Sequence, residues 1–142
     1  VDKTLFIIRG LPGSGKTTLA RVLKDYGDEY AAHYEADQFM VNNNGLYEFN
    51  PRKLQYCHEM CLTGVEEAMV KGVPMVIVSN TFTQYWEMEK YIHCAKHYKY
   101  NIQLIECSGN FGSIHNVPAE TIEKMKNRWS PNADVMKEIN KE

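Results

Sequence analysis

Gly10-Leu11-Pro12-Gly13-Ser14-Gly15-Lys16-Thr17-Thr18 is the stretch on which the fold turns. Residues 10–17 fit G-x-x-x-x-G-K-[ST], the phosphate-binding loop (P-loop, Walker A) pattern. Each residue type has a physical reason. Glycines let the backbone wrap a phosphate without Cβ clashes. Successive N–H groups from Gly13 to Thr18 then point at the anion. The helix starting there adds about half a positive charge at its N-terminus. Lys16 is long enough to reach the β- and γ-phosphates, and the Thr17 hydroxyl is placed to ligate Mg²⁺. The match carries weight only between a strand and a helix, and both are present. Leu5-Phe6-Ile7-Ile8 is an apolar, β-forming run before the loop. Thr17 to Asp25 reads as a helix with Leu19, Val22 and Leu23 on one face. The expectation is a nucleoside triphosphate, ATP with Mg²⁺, on residues 10–18.

Working outward, strands and helices alternate. Ala32 to Glu35 is a weaker strand, and Asn42-Asn43-Asn44-Gly45 a loop. Asn50-Pro51 opens a helix, Asn capping and Pro fitting the first position. Leu54, Cys57, Cys61, Leu62, Val65, Ala68 and Met69 follow at helical spacing, and Gly72 ends it. Val73 to Val78 is a strand. Gln84 to Tyr98 is a helix with Met88, Tyr91, Ile92 and Ala95 inward, and Ile102 to Ile105 a fourth strand. Ser108 to Val117 is a polar loop, expected to be mobile without ligand. Pro118 opens a last helix with Ile122, Met125 and Trp129 as its stripe, ended by Ser130-Pro131. This alternation implies an α/β fold with a parallel sheet. Residues after Pro131 read as a short charged tail.

Composition sets bounds. The chain has 142 residues, 44% apolar and 24% charged, enough for one core. A net charge of −2 gives no basic face for strong non-specific nucleic-acid binding. No apolar run approaches the roughly 20 residues of a membrane span, and no signal pattern opens the chain, so a cytoplasmic setting is expected. The four cysteines are expected to be thiols. Cys57, His58 and Cys61 share one helical turn, as helix core or, with a further ligand, as a metal site. An Asn-Lys-x-Asp guanine-reading segment is absent, which argues against a GTPase. A short chain with the loop at its start suggests a small kinase.

Asp37 is the second candidate. It follows the second strand, and the carboxyl ends of parallel strands face the ligand crevice. An Asp there can orient an acceptor hydroxyl toward the γ-phosphate, or simply cap a helix.

GLPGSGKTT, EADQF, YEFNP, VIVSNTF and NVPAETIEKMKNRW occur in this order across nearly the whole chain. Together they resemble the kinase domain of phage polynucleotide kinase and its stand-alone AAA-type relatives. The resemblance implies a three-layer P-loop kinase core with a mostly parallel four-stranded sheet and a short lid. It implies γ-phosphate transfer from ATP to a polynucleotide 5′-hydroxyl, with Lys16 and Asp37 catalytic and Thr17 on the metal. The chain is expected to divide into a P-loop kinase-like domain, residues 1–131, and a C-terminal tail, 132–142.

Three positions depart from the family pattern. Ser79-Asn80-Thr81 stands where an Asp is common at the end of the third strand. Met40 stands where the phage kinase places an arginine on the acceptor phosphate. None of the chain's four arginines lies in the 108–117 loop. A transition-state arginine contributes about 10³–10⁵ in rate. Lys124, Lys126 or Arg128 can stand in for it, or form a solvated face. Tyr47, Phe49, Tyr85 and Trp86 can stack on a base of a single-stranded nucleic acid, or pack locally. The leading expectation is a kinase acting on a nucleic-acid or nucleotide hydroxyl. The alternatives are a catalytically weak nucleotide-binding module and a slow ATPase.

Overall fold

The computed structural model describes residues 2–112 and 116–141. Four strands form one parallel sheet in the order β2-β3-β1-β4: β1 Thr4–Gly10, β2 Ala31–Tyr34, β3 Met75–Ser79 and β4 Asn101–Cys107. Among the described residues five α-helices accompany them: α1 Lys16–Gly27, α2 Leu54–Val70, α3 Tyr85–His97, α4 Ala119–Asn127 and α5 Asn132–Ile139. This is the expected α/β P-loop kinase-like architecture.

Side chains alternate across the two faces of the sheet. Leu5, Ile7, Val76 and Val78 join α2, α3 and α5 in the larger core cluster. Ile8 and Ile77 meet Ala20 of α1 in a smaller one. Strands covered on both faces read as continuous apolar runs, which is why β1 and β3 were legible. Gly72 ends α2 with a φ of 76°, its N–H donating to the Met69 carbonyl at 3.0 Å. Asn50 accepts from the Arg52 N–H at 3.0 Å, but the turn it caps, 51–53, is 3₁₀ and runs on into α2.

Three expectations about packing are corrected. Val22 is 60% exposed. The face of α1 turned to the sheet carries Leu19, Ala20, Leu23 and Gly27. At 100° per residue, position 22 lies on the far side of the helix from Ala20. Leu54, the first residue of α2, is also exposed, because the apolar stripe begins one turn later at Cys57. Residues 132–139, expected within a charged tail, form α5, and Val135 is fully buried in the larger cluster. The sequence between Pro131 and Glu142 has only three large apolar residues, Val135, Met136 and Ile139. That is enough for one buried stripe of an eight-residue helix. No helix among the described residues is long and apolar enough to cross a membrane.

Candidate nucleotide-binding site

The site forms where β1, β2 and β3 end. Gly10 closes β1, its N–H donating to the Thr81 carbonyl at 3.3 Å. Leu11 and Pro12 lead into the turn. Gly13 and Gly15 have φ values of 80° and 97°, conformations that favour glycine. Gly15 is the N-cap of α1, and Lys16, Thr17 and Thr18 make its first turn. No side chain caps this end and no acidic residue sits in its first turn. The N–H groups and the helix dipole are therefore left for an anion. Ser14 is buried, with its hydroxyl unpaired among the described residues.

The Lys16 ammonium donates to the Leu11 carbonyl at 3.1 Å. Burial lowers its pKa, and the carboxylates of Glu35 and Asp37 work against that shift. Asp37 is exposed in the 3₁₀ turn 36–39 just past β2. The N-cap of that turn is Glu35, and no side chain caps it. The sequence thus brought Lys16, Thr17 and Asp37 to one end of the sheet, and the structure places all three there.

Reading the sequence missed three residues. Glu35 is one residue beyond β2. Its Oε1 accepts from the Ser79 hydroxyl at 2.8 Å and lies 3.2 Å from His33 Nε2. The Thr17 hydroxyl is turned to the same carboxylate and helps to keep it ionised. Burial alone would raise the Glu35 pKa, but the bonds from His33, Ser79 and Thr17 outweigh it, and the group is held below its ordinary value. Ser79 Oγ is 2.8 Å from His33 Nε2. Asn80, the second missed residue, accepts from the Ala36 N–H at 2.8 Å and so anchors the turn that carries Asp37. Arg9, the third, is fully buried and bridges β1 to the segments around 82–83 and 130–132.

The loop after β4 begins by pairing with the phosphate loop. Gly109 N–H donates to Ser14 O at 3.2 Å and Phe111 N–H to Gly13 O at 2.8 Å. Residues 113–115 of the expected mobile lid lie outside the described residues. Among the candidate cations of α4 and its end, Arg128 donates to Thr83 Oγ1 at 3.1 Å, a contact within the fold. Lys126 lines a cleft of about 330 Å³ with Leu11, Ser14, Glu106 and Trp129, beside the phosphate loop. A larger hollow of about 530 Å³ lies at the other ends of β1 and β4, near Thr4 and Asn101. Open parallel sheets bind ligands at their carboxyl ends, so the smaller cleft is the one that belongs to this site. Tyr47, Phe49 and Trp86 are exposed, whereas Tyr85 packs against the core. Met40 is buried in the core. All four cysteines are free thiols, and Cys57 and Cys61 face the core from α2.

The model for a family described as AAA domain matches residues 5–110. The chain belongs to that family. Human NEDD4-binding protein 2 is 35% identical over 102 residues, 72% of this chain and 6% of that protein. The 2′,3′-cyclic-nucleotide 3′-phosphodiesterase of Pongo abelii is 27% identical over 146 residues, 96% of this chain and 30% of that protein. The chain thus spans a minor part of both relatives. Among solved structures, the Pnkp1/Rnl/Hen1 RNA repair complex aligns with a TM-score of 0.60 at 21% identity, covering 97% of this chain and 43% of that one. This AAA-family chain therefore has a P-loop nucleotide-binding, kinase-like fold.

The donor set fits a nucleotide with a hard divalent cation. It offers an uncapped helix N-terminus, a lysine, a hydroxyl and a carboxylate, all oxygen or nitrogen groups. Mg²⁺ takes oxygen ligands and keeps several waters, so one hydroxyl with nearby carboxylate and phosphate oxygens suffices.

Proposed function

We propose that this chain is an ATP-dependent kinase that transfers the γ-phosphate to a hydroxyl of a nucleic acid or nucleotide. The observation that carries the reading is Asp37, on a turn that Asn80 anchors through the Ala36 N–H at the carboxyl edge of the sheet, with its carboxylate acting on Lys16. The uncapped N–H groups at the start of α1, from Gly15 to Thr18, bind the phosphates. Lys16 leaves the Leu11 carbonyl for the β- and γ-oxygens. Thr17 would hold Mg²⁺, which when bound neutralises those oxygens. The acceptor oxygen forms its bond to the γ-phosphorus while the bond to the β,γ-bridging oxygen breaks, and ADP leaves. The acceptor proton passes to Asp37. An Asp is a weak base for an alcohol, but in a loose transition state orientation matters more than early proton removal. Support for a nucleic-acid or nucleotide acceptor comes from the RNA repair complex and the cyclic-nucleotide enzyme among the relatives.

A second reading, a nucleotide-binding module with slow turnover, is favoured by one observation. Among the described residues of the loop after β4 there is no arginine, and Arg9 and Arg128 are committed to the fold. Incubation with γ-labelled ATP and a panel of 5′-hydroxyl oligonucleotides, nucleosides and small alcohols separates the two. Transfer of label to an acceptor is the expected result, and release of inorganic phosphate alone supports the module.

Binding itself has a direct check. At 100 times its dissociation constant, ATP with Mg²⁺ is expected to add about 2.7 kcal/mol of stability, read as a rise in melting temperature. Lys16→Ala should remove most of that rise. A mutant that binds ATP as tightly as the parent overturns the assignment of the loop.

A further inference from the structure

The Glu35 carboxylate has been given no task in the transfer, yet Ser79 and His33 both hold it at the sheet edge. It is largely withdrawn from solvent, with its side chain 14% exposed. Keeping a carboxylate ionised there requires compensating donors, and three converge on it: Ser79, His33 and Thr17. Two of these belong to other elements, β3 and α1. The third, His33, lies within β2.

The Thr17 contact has a chemical consequence. A hydroxyl has one proton and two lone pairs. When the proton is given to Glu35, the lone pairs are turned elsewhere and are the better acceptors or ligands for it. Ser79 is likewise used up: its proton goes to Glu35, and its oxygen faces His33 Nε2. No carboxylate stands at the end of β3, where Ser79 ends the strand. Tyr34 and Val78 are register partners on neighbouring parallel strands. The residues that follow them, Glu35 and Ser79, therefore lie side by side.

We propose that Glu35 is the carboxylate that serves the divalent cation of this site, moved one strand over from the end of β3 and acting by fixing the Thr17 hydroxyl as a ligand. The proposal rests on the nucleotide-binding reading above and adds to it the residue on which metal-dependent affinity depends. Glu35 is a positioning residue, since it acts through Thr17.

The test is equilibrium binding, without turnover. ATP affinity is measured by calorimetry in Mg²⁺ and again in chelator, and the ratio of the two is the readout. Removing a partner that orients a metal ligand costs about 10–100-fold in metal affinity. Glu35→Gln is expected to cut the Mg²⁺-to-chelator ratio about tenfold or more while leaving metal-free ATP binding within about threefold, on that same scale. Glu35→Asp keeps the charge and should keep most of the ratio. Adding Ser79→Asp to Glu35→Gln returns a carboxylate to the end of β3 and should restore it. Substituting Mn²⁺ for Mg²⁺ lets bound metal be counted by its paramagnetic resonance in the same variants. An unchanged ratio in Glu35→Gln overturns the proposal, whether or not that variant melts lower. Equal losses in Glu35→Asp and Glu35→Gln also overturn it. If Lys16→Ala leaves ATP binding intact in either condition, the fault lies with the nucleotide site itself and not with Glu35.

Discussion

Asp37→Asn is expected to leave ATP affinity within a few-fold and to cut phosphoryl transfer by about 10²-fold or more, the usual scale for a general base. The substitution keeps the shape of the side chain and removes its charge and proton-accepting power. Asp37 lies past the end of β2 on a turn anchored through Asn80, and it is not among the backbone N–H groups at the start of α1 that take the phosphates. Its loss should therefore fall on the acceptor and not on ATP. Three measurements on one variant discriminate: nucleotide affinity, melting temperature and label transfer. If ATP·Mg²⁺ affinity falls together with turnover, Asp37 acts on the metal, and the role assigned to Glu35 is shared. If nothing changes, Asp37 has no part in the chemistry. A role as helix cap is already disfavoured, because the cap position of its turn is Glu35.

Arg9→Ala should lower stability by about 3–5 kcal/mol, the scale for removing one member of a buried charged network. Arg9 is on β1, immediately before the phosphate loop, and is fully buried. Its guanidinium donates to the Phe82 carbonyl at 3.1 and 2.8 Å, to Thr83 O at 3.1 Å and to Ser130 O and Asn132 Oδ1 at 2.7 Å each. It also lies 4.2 Å from the centre of the Trp129 ring and 3.8 Å from a Glu106 oxygen. Removal leaves several buried carbonyls without donors as well as a cavity. Phe82 has a φ of 49°, unusual for a residue with a side chain, and its carbonyl is the one Arg9 holds twice. Arg9→Lys should recover only part of the loss, since an ammonium cannot reproduce the planar fork. Urea denaturation checks both variants. A loss under about 1 kcal/mol, the scale of a single ordinary hydrogen bond, would mean that water replaces the guanidinium and that the network contributes little.

Much of the fold was legible because its signals are local. The β1 run, the glycine loop and the start of α1 lie within residues 4–27, and each is dictated by backbone chemistry at short range. The same holds for the Asn50 cap, the Gly72 stop and the inward face of α3. Errors came where a weak local signal met a tertiary decision. Val22 is apolar and near two core residues in sequence, yet the helix phase turns it to solvent. The segment 132–139 looked like a tail because three charged residues, Asp134, Lys137 and Glu138, are interleaved with its few apolar ones, yet one valine fully buried against the core gives it a place to dock.

What the sequence determined by itself was the P-loop, its strand and helix, and with them the position of Lys16 and Thr17, since that motif builds its own site from consecutive residues. What only the tertiary structure decided was which side chains meet across the sheet edge. Glu35 and Ser79 are 44 positions apart, and they touch because β2 lies against β3 and not against β1. Arg9 looks like a stray charge in an apolar strand until its partners, 73 to 123 positions away, are folded around it. Strand order and long-range closure depend on how the whole core packs, and no local spacing in the chain encodes them.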